Sequence, residues 1–272
     1  MKQWIFQSLR IKDKLLINKI FTNSVFLLVI LSSIWGSAFI AIKISLVSFN
    51  PVTVASLRLI SASFFLLIFF YFRNYKINFT LENTIYLILV GIIGNFIPFF
   101  LISWGEQYIQ SNMAGLLMAI GPIITLILAH FFTKDDKFNF IKLISVIIGF
   151  VGILFIVDFK NFFNSADGSY VSLIAKFAVI VAALGYMISN IIAYNKLKYI
   201  DTVSITTFAT LFGAVFSIPF LFVFEYSNPS SIKSLNSVIS IIYLGLFPTA
   251  LAFQFRYYIT KKSGPTFLSY VA

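Results

Sequence analysis

Residues 84–106 read TIYLILVGIIGNFIPFFLISWGE, with no charged side chain before Glu106. A run of this length, at about 1.5 Å per residue, reaches across the ~30 Å hydrocarbon core of a bilayer. It lacks the strict apolar/polar alternation of a barrel strand, so it is a helix, the other backbone form that lipid tolerates. Gly94, Asn95 and Pro98 sit near its middle, at a depth where polar groups are costly unless they face protein or a cavity.

Working outward, similar runs occupy about 24–47, 52–72, 112–132, 139–158, 170–194, 202–224 and 236–257, and a ninth begins at Gly264. The expected fold class is an all-α integral membrane protein with eight complete spans. Composition agrees: 60% of the 272 residues are hydrophobic and 11% are charged, which leaves no room for a soluble catalytic or DNA-binding domain. The first run is too long and too far from residue 1 for a signal peptide and is expected to be a retained span.

A net charge of +11 would suggest nucleic acid in a soluble protein, but here the basic residues lie between apolar runs. Fifteen of the twenty Lys and Arg fall on one side, including Arg256, Lys261 and Lys262 together, and two (Lys160 and Lys233) on the other. This bias puts the N-terminus and the even-numbered loops in the cytoplasm. Residues 1–23 form a basic segment, either a solvated flank or an amphipathic helix on the inner leaflet.

Offset by 149–150 residues, Gly36 falls on Gly185, Pro98 on Pro248, and Tyr108-Ile109 on Tyr258-Ile259. Two units are expected, 24–158 and 170–272. Five spans is an odd number, so the second unit enters the membrane upside down, an arrangement that lets two halves exchange conformations around a midplane site.

The stretch Ile34-Trp-Gly-Ser-Ala-Phe-Ile-Ala-Ile-Lys43, followed by Pro51 and Arg58, resembles the first-helix signature of the EamA branch of the drug/metabolite transporter superfamily. So does Trp104-Gly-Glu-Gln-Tyr-Ile109, followed by Ala114-Gly115 and Pro122. The resemblance runs from about residue 24 onward. It implies two inverted five-helix units, cytoplasmic termini and movement of small metabolites across the inner membrane. Of the ten helices it implies, the chain carries eight and the start of a ninth.

Mid-depth polar groups are the candidate substrate contacts: Trp35 and Ser37 in the first span, Asn95 in the third, Tyr186 and Asn190 on one face of the sixth, and Thr249 in the eighth. Interhelical hydrogen bonding explains such groups as well. The cavity they imply carries hydroxyl, amide and aromatic groups but no fixed charge at its centre. Pro98 and Pro248, at equivalent positions, are the candidate helix bends, since each frees a carbonyl one turn earlier. Glu106 is the one acid placed near a translocation path; with Lys43 or Arg58 it forms a candidate outer gate, or exchanges a proton during transport.

The absence of cysteine and the single His130 exclude disulfides and multi-histidine metal sites, and no phosphate-loop motif is present, so no cofactor is expected. Paired acids, histidine clusters or an activated nucleophile are missing from the spans, which argues against an enzyme. The expectation is a secondary transporter for small amphiphilic metabolites, amino-acid efflux first and uptake of a nucleoside-like metabolite such as S-adenosylmethionine second. A non-transporting scaffold is the reading from another class. Expected partners are the small-molecule substrate and the lipid bilayer, not nucleic acid, with homodimer formation left open.

Overall fold

The structure, a computed structural model, describes residues 23–77, 79–156, 170–226 and 234–271. The basic segment before residue 23 and the loops carrying Lys160 and Lys233 lie outside the described residues. Helices α1 (Ser24–Ser45), α2 (Pro51–Phe72), α3 (Leu81–Gly105), α4 (Ser111–Phe132), α6 (Tyr170–Lys196), α7 (Thr202–Tyr226) and α8 (Leu235–Ser263) are long and apolar enough to span a bilayer. Between them α5 (Phe140–Ile156) is shorter, and α9 (Pro265–Ser269) follows α8. The chain is an all-α multi-pass membrane protein, and the eight expected spans correspond to α1–α8.

Short polar residues set where these helices start. Asn50 accepts from the Thr53 amide at 2.8 Å, with Pro51 opening α2, where its missing N–H costs nothing. Asp201 accepts from the Ser204 amide at 2.8 Å, and Thr80 and Ser234 cap α3 and α8 in the same way. Gly264, at φ 86°, ends α8 in a conformation that only glycine adopts without strain. Asp136, from the turn after α4, accepts from the Thr266 amide at 2.8 Å and pairs with Lys142, which fixes the start of α9 against the first half of the chain.

Two helices leave ideal α geometry at their centres. Ile92–Phe96 in α3 and Gly245–Leu251 in α8 are π-helical, and each segment precedes or contains one of the paired prolines. The wider turn accommodates the proline ring and leaves main-chain carbonyls without their usual donors.

The central core is built where α2, α3, α6, α7 and α8 meet, around Leu59, Leu87, Val90, Phe99, Leu197, Ile205, Phe253 and Tyr257. Helix α2 packs along α7, α6 along the second half of α3, α1 along the first half of α8, α7 on the first half of α3, and α2 on the π segment of α8. Taken by whole helices and not by halves, these pairings map onto one another when α1 is exchanged with α6, α2 with α7 and α3 with α8. At the crossing of α3 and α7 the two backbones come close: a Cβ on Gly91 would lie 2.3 Å from the Ala209 carbonyl oxygen, and one on Gly213 2.6 Å from the Gly91 oxygen. Small residues are what allow helices to approach this closely in a membrane. Outward-facing Val25, Phe64, Phe72, Phe131, Phe177 and Phe222 form an apolar exterior suited to lipid.

Candidate functional site

A cavity of about 650 Å³ opens among α1, α2, α3, α4, α6, α8 and α9. Trp35, Gly36 and Phe39 line it from α1, Arg58 from α2, Tyr186 and Asn190 from α6, and Arg256 from α8. Trp35 and Tyr186 stack with centroids 6.4 Å apart and an interplanar angle of 24°, while Phe253 meets the Trp35 ring edge-on. The Trp35 indole N–H donates to the Pro248 carbonyl at 3.0 Å, so the aromatic wall is hung from the bend in α8.

Two arginines are sealed into this wall. Arg58 is 4% exposed; its Nε donates to Thr249 Oγ1 at 2.7 Å, its Nη2 to the Pro248 carbonyl at 3.4 Å, and its guanidinium lies 3.6 Å from the centre of the Phe99 ring. Arg256 is fully buried; its Nε donates to Asn190 Oδ1 at 2.7 Å, its Nη2 to Ser189 Oγ at 2.6 Å and the Tyr186 carbonyl at 3.5 Å, and its Nη1 to the Gly94 carbonyl at 3.4 Å. It also stands 4.9 Å from the Phe253 ring and 5.3 Å from that of Tyr186. The cavity is therefore not free of fixed charge, contrary to the sequence expectation. Arg58 turns inward, because Phe99, Thr249 and the Pro248 carbonyl offer its guanidinium partners inside the bundle.

Arg256 is the residue that sequence patterning misplaces. Its proximity to Lys261 and Lys262 groups it with the loop cations, yet α8 continues to Ser263 and carries Arg256 inside the bundle. The signal was present in the repeat: the offset that superposes Pro98 on Pro248 also superposes Glu106 on Arg256. Moving Arg256 off the loop leaves the basic asymmetry at fourteen to two.

The remaining candidates divide. Tyr186 and Asn190 line the cavity, and Thr249 touches it only through Arg58, while donating to the Leu244 carbonyl at 2.8 Å. Ser37 lies off the lining and shares a 2.6 Å hydrogen bond with the Tyr243 hydroxyl. Asn95 also lies off it, fully buried, and neither its Oδ1 nor its Nδ2 has a hydrogen-bond partner. Glu106 is fully buried rather than facing water; its Oε2 accepts from Ser111 Oγ at 3.0 Å and its Oε1 has no partner. Lys43 donates to the main-chain carbonyls of Glu106 and Ile109, not to the carboxylate, and Arg58 does not hydrogen-bond it either. The expected outer ion pair is thus replaced by a cluster in which Ser111, a lining residue, connects Glu106 to the cavity. Among the described residues no group of His, Asp and Glu is arranged to hold a metal.

Two stretches of the chain, residues 22–158 and 173–272, match the EamA-like transporter family. The chain is 25% identical over 229 residues to the uncharacterized transporter YoaV of Bacillus subtilis, covering 84% of this chain and 76% of that protein. It is 28% identical over 233 residues to an uncharacterized transporter of Archaeoglobus fulgidus, covering 84% and 77%. Similarity at 26% over 234 residues extends to the protein PagO of Salmonella typhimurium, covering 84% and 73%. A solved crystal structure superposes with a TM-score of 0.69 over 91% of this chain and 83% of that chain, at 16% identity, so the two share a fold.

Proposed function

This chain belongs to the EamA-like transporter family, and on that premise we propose that it exports small amphiphilic metabolites, amino acids foremost, across the cytoplasmic membrane by alternating access. It is a multi-pass membrane transporter, not an enzyme. The observation that carries the finer reading is the composition of the cavity wall. Trp35, Arg58 and Ile102 come from one half of the chain and Tyr186, Asn190 and Arg256 from the other. A small relative tilt of the halves closes such a cavity on one side and opens it on the other, with both states near in energy. About 650 Å³ suits a metabolite of amino-acid size or somewhat larger. The bias of Lys and Arg supports a cytoplasmic N-terminus. Glu106, joined to the lining through Ser111, is the acid positioned to exchange a proton with the transport cycle.

Uptake and counterflow in proteoliposomes test the reading. Saturable exchange of unlabelled for labelled substrate is expected, and it is the signature of a carrier. Folded, reconstituted protein that moves no member of a broad metabolite panel would overturn it in favour of a scaffold.

A further inference from the structure

Arg58 and Arg256 both line the cavity, and among the described residues that line it there is no Asp or Glu. Every hydrogen-bond partner of the two guanidinium groups is neutral: Thr249, Asn190, Ser189 and the carbonyls of Pro248, Gly94 and Tyr186. Arginine does not shed its proton in proteins, so both charges persist. The aromatic faces of Phe99, Phe253 and Tyr257 offset part of the cost of keeping them from water; among the described residues no carboxylate hydrogen-bonds to either guanidinium, and Glu106 acts on Arg58 only through space. Glu106 stands behind Ser111 and outside the lining.

The two arginines differ in what they have left to give. Arg256 donates from Nε, Nη1 and Nη2 to four acceptors and is consumed by the fold. Arg58 donates only from Nε and Nη2; its Nη1 makes no hydrogen bond to any of the described residues, and the residue borders the cavity. An arginine with an unclaimed N–H edge is a planar fork that matches a carboxylate. The rest of the wall is mostly apolar, with Phe39, Ile102 and Met118 available to a hydrocarbon body.

We propose that the cavity selects organic anions: an amphiphilic carboxylate whose head group docks on the free edge of Arg58 and whose apolar body lies toward Phe39, Ile102 and Met118. The proposal rests on the carrier reading above but changes its order of substrates, placing anions before amino acids. Net charge ranks the substrates, with carboxylic acids ahead of zwitterionic amino acids and cations last. A sulfonium-bearing nucleoside is disfavoured by the same pair of like charges.

The test compares compounds that share a body and differ in charge. Phenyllactate, 2-hydroxyisocaproate and lactate are set against phenylalanine, leucine and alanine and against the matching amines. Each is measured by counterflow in proteoliposomes of the full chain and by quenching of tryptophan fluorescence in detergent. The hydroxy acids are expected to exchange and bind best and the amines least. Arg58→Gln is expected to weaken anion binding by on the order of 10- to 100-fold, with Arg58→Lys in between. Exchange of amino acids or amines but not hydroxy acids overturns the anion class and leaves the carrier intact. Absence of exchange by all nine compounds, with no quenching, overturns both. The wild-type ranking decides the matter even where Arg58→Gln fails to fold.

Discussion

Arg256 Nη1 donates to the carbonyl of Gly94 at 3.4 Å, and Gly94 lies four residues before Pro98, which has no N–H to offer it. The opening made by a proline in one half of the chain is thus closed by an arginine from the other. The same guanidinium holds Asn190 and Ser189 on α6, so three helices meet on one side chain. Arg256→Gln is expected to cost about 3 kcal/mol, because several buried acceptors lose a charged donor together. Thermal unfolding in detergent measures it, and an unchanged midpoint would show that the clamp does not hold the packing.

Asn95 gives the opposite expectation. Its amide is sealed between α3 and α7 with both polar atoms unpartnered, which is a standing cost to the fold. Asn95→Leu, close to it in shape, is expected to leave the unfolding temperature unchanged or to raise it. A fall equivalent to more than about 1 kcal/mol would mean that the amide is engaged in the folded protein.

The α3–α7 crossing supplies a steric test. Gly213→Ala would place a methyl group 2.6 Å from the Gly91 carbonyl oxygen, and the helices must separate to admit it. A loss of about 1–3 kcal/mol is expected. Gly149→Ala, whose Cβ meets nothing within 4 Å, is the control and should be tolerated. Equal behaviour of the two variants would argue against the close crossing.

Glu106→Gln keeps the size and the hydrogen bond to Ser111 but removes the exchangeable proton. Counterflow at equal pH on both sides is expected to continue, whereas the response of net flux to an imposed pH gradient should disappear. A response that survives the substitution would take the coupling role away from this carboxyl.

How much was legible in the sequence depended on which physical force wrote it. The spans were plain because lipid imposes length and hydropathy on every helix that crosses it, and α3 follows residues 84–106 to within a few positions. Trp35, Tyr186 and Asn190 were picked out by depth, since a polar group at mid-membrane must face inward, and all three line one cavity, while Arg58, expected in an outer gate with Glu106, borders that cavity as well. Depth could not say which neighbour each would face. Ser37 turned to Tyr243, and Lys43 to two carbonyls, choices set by local packing that no periodicity records. Arg256 was obscured because a charge near a helix end looks the same in sequence whether the helix stops before it or runs past.

The π-helical segments of α3 and α8 have a consequence for the phase of everything beyond them. A wide turn inserts one extra residue, so the far portion of each helix is rotated by about 100° from where an uninterrupted α-helix would put it. Arg256, which hydrogen-bonds Asn190, lies beyond the Gly245–Leu251 segment and so takes its direction from that adjustment. Deleting a single residue there would leave the composition, length and hydropathy of α8 almost untouched while swinging Arg256 toward a different neighbour. The register of the site is kept by local irregularity, and a lineage that lost either bulge would retain a spanning helix but present a different set of side chains to the cavity.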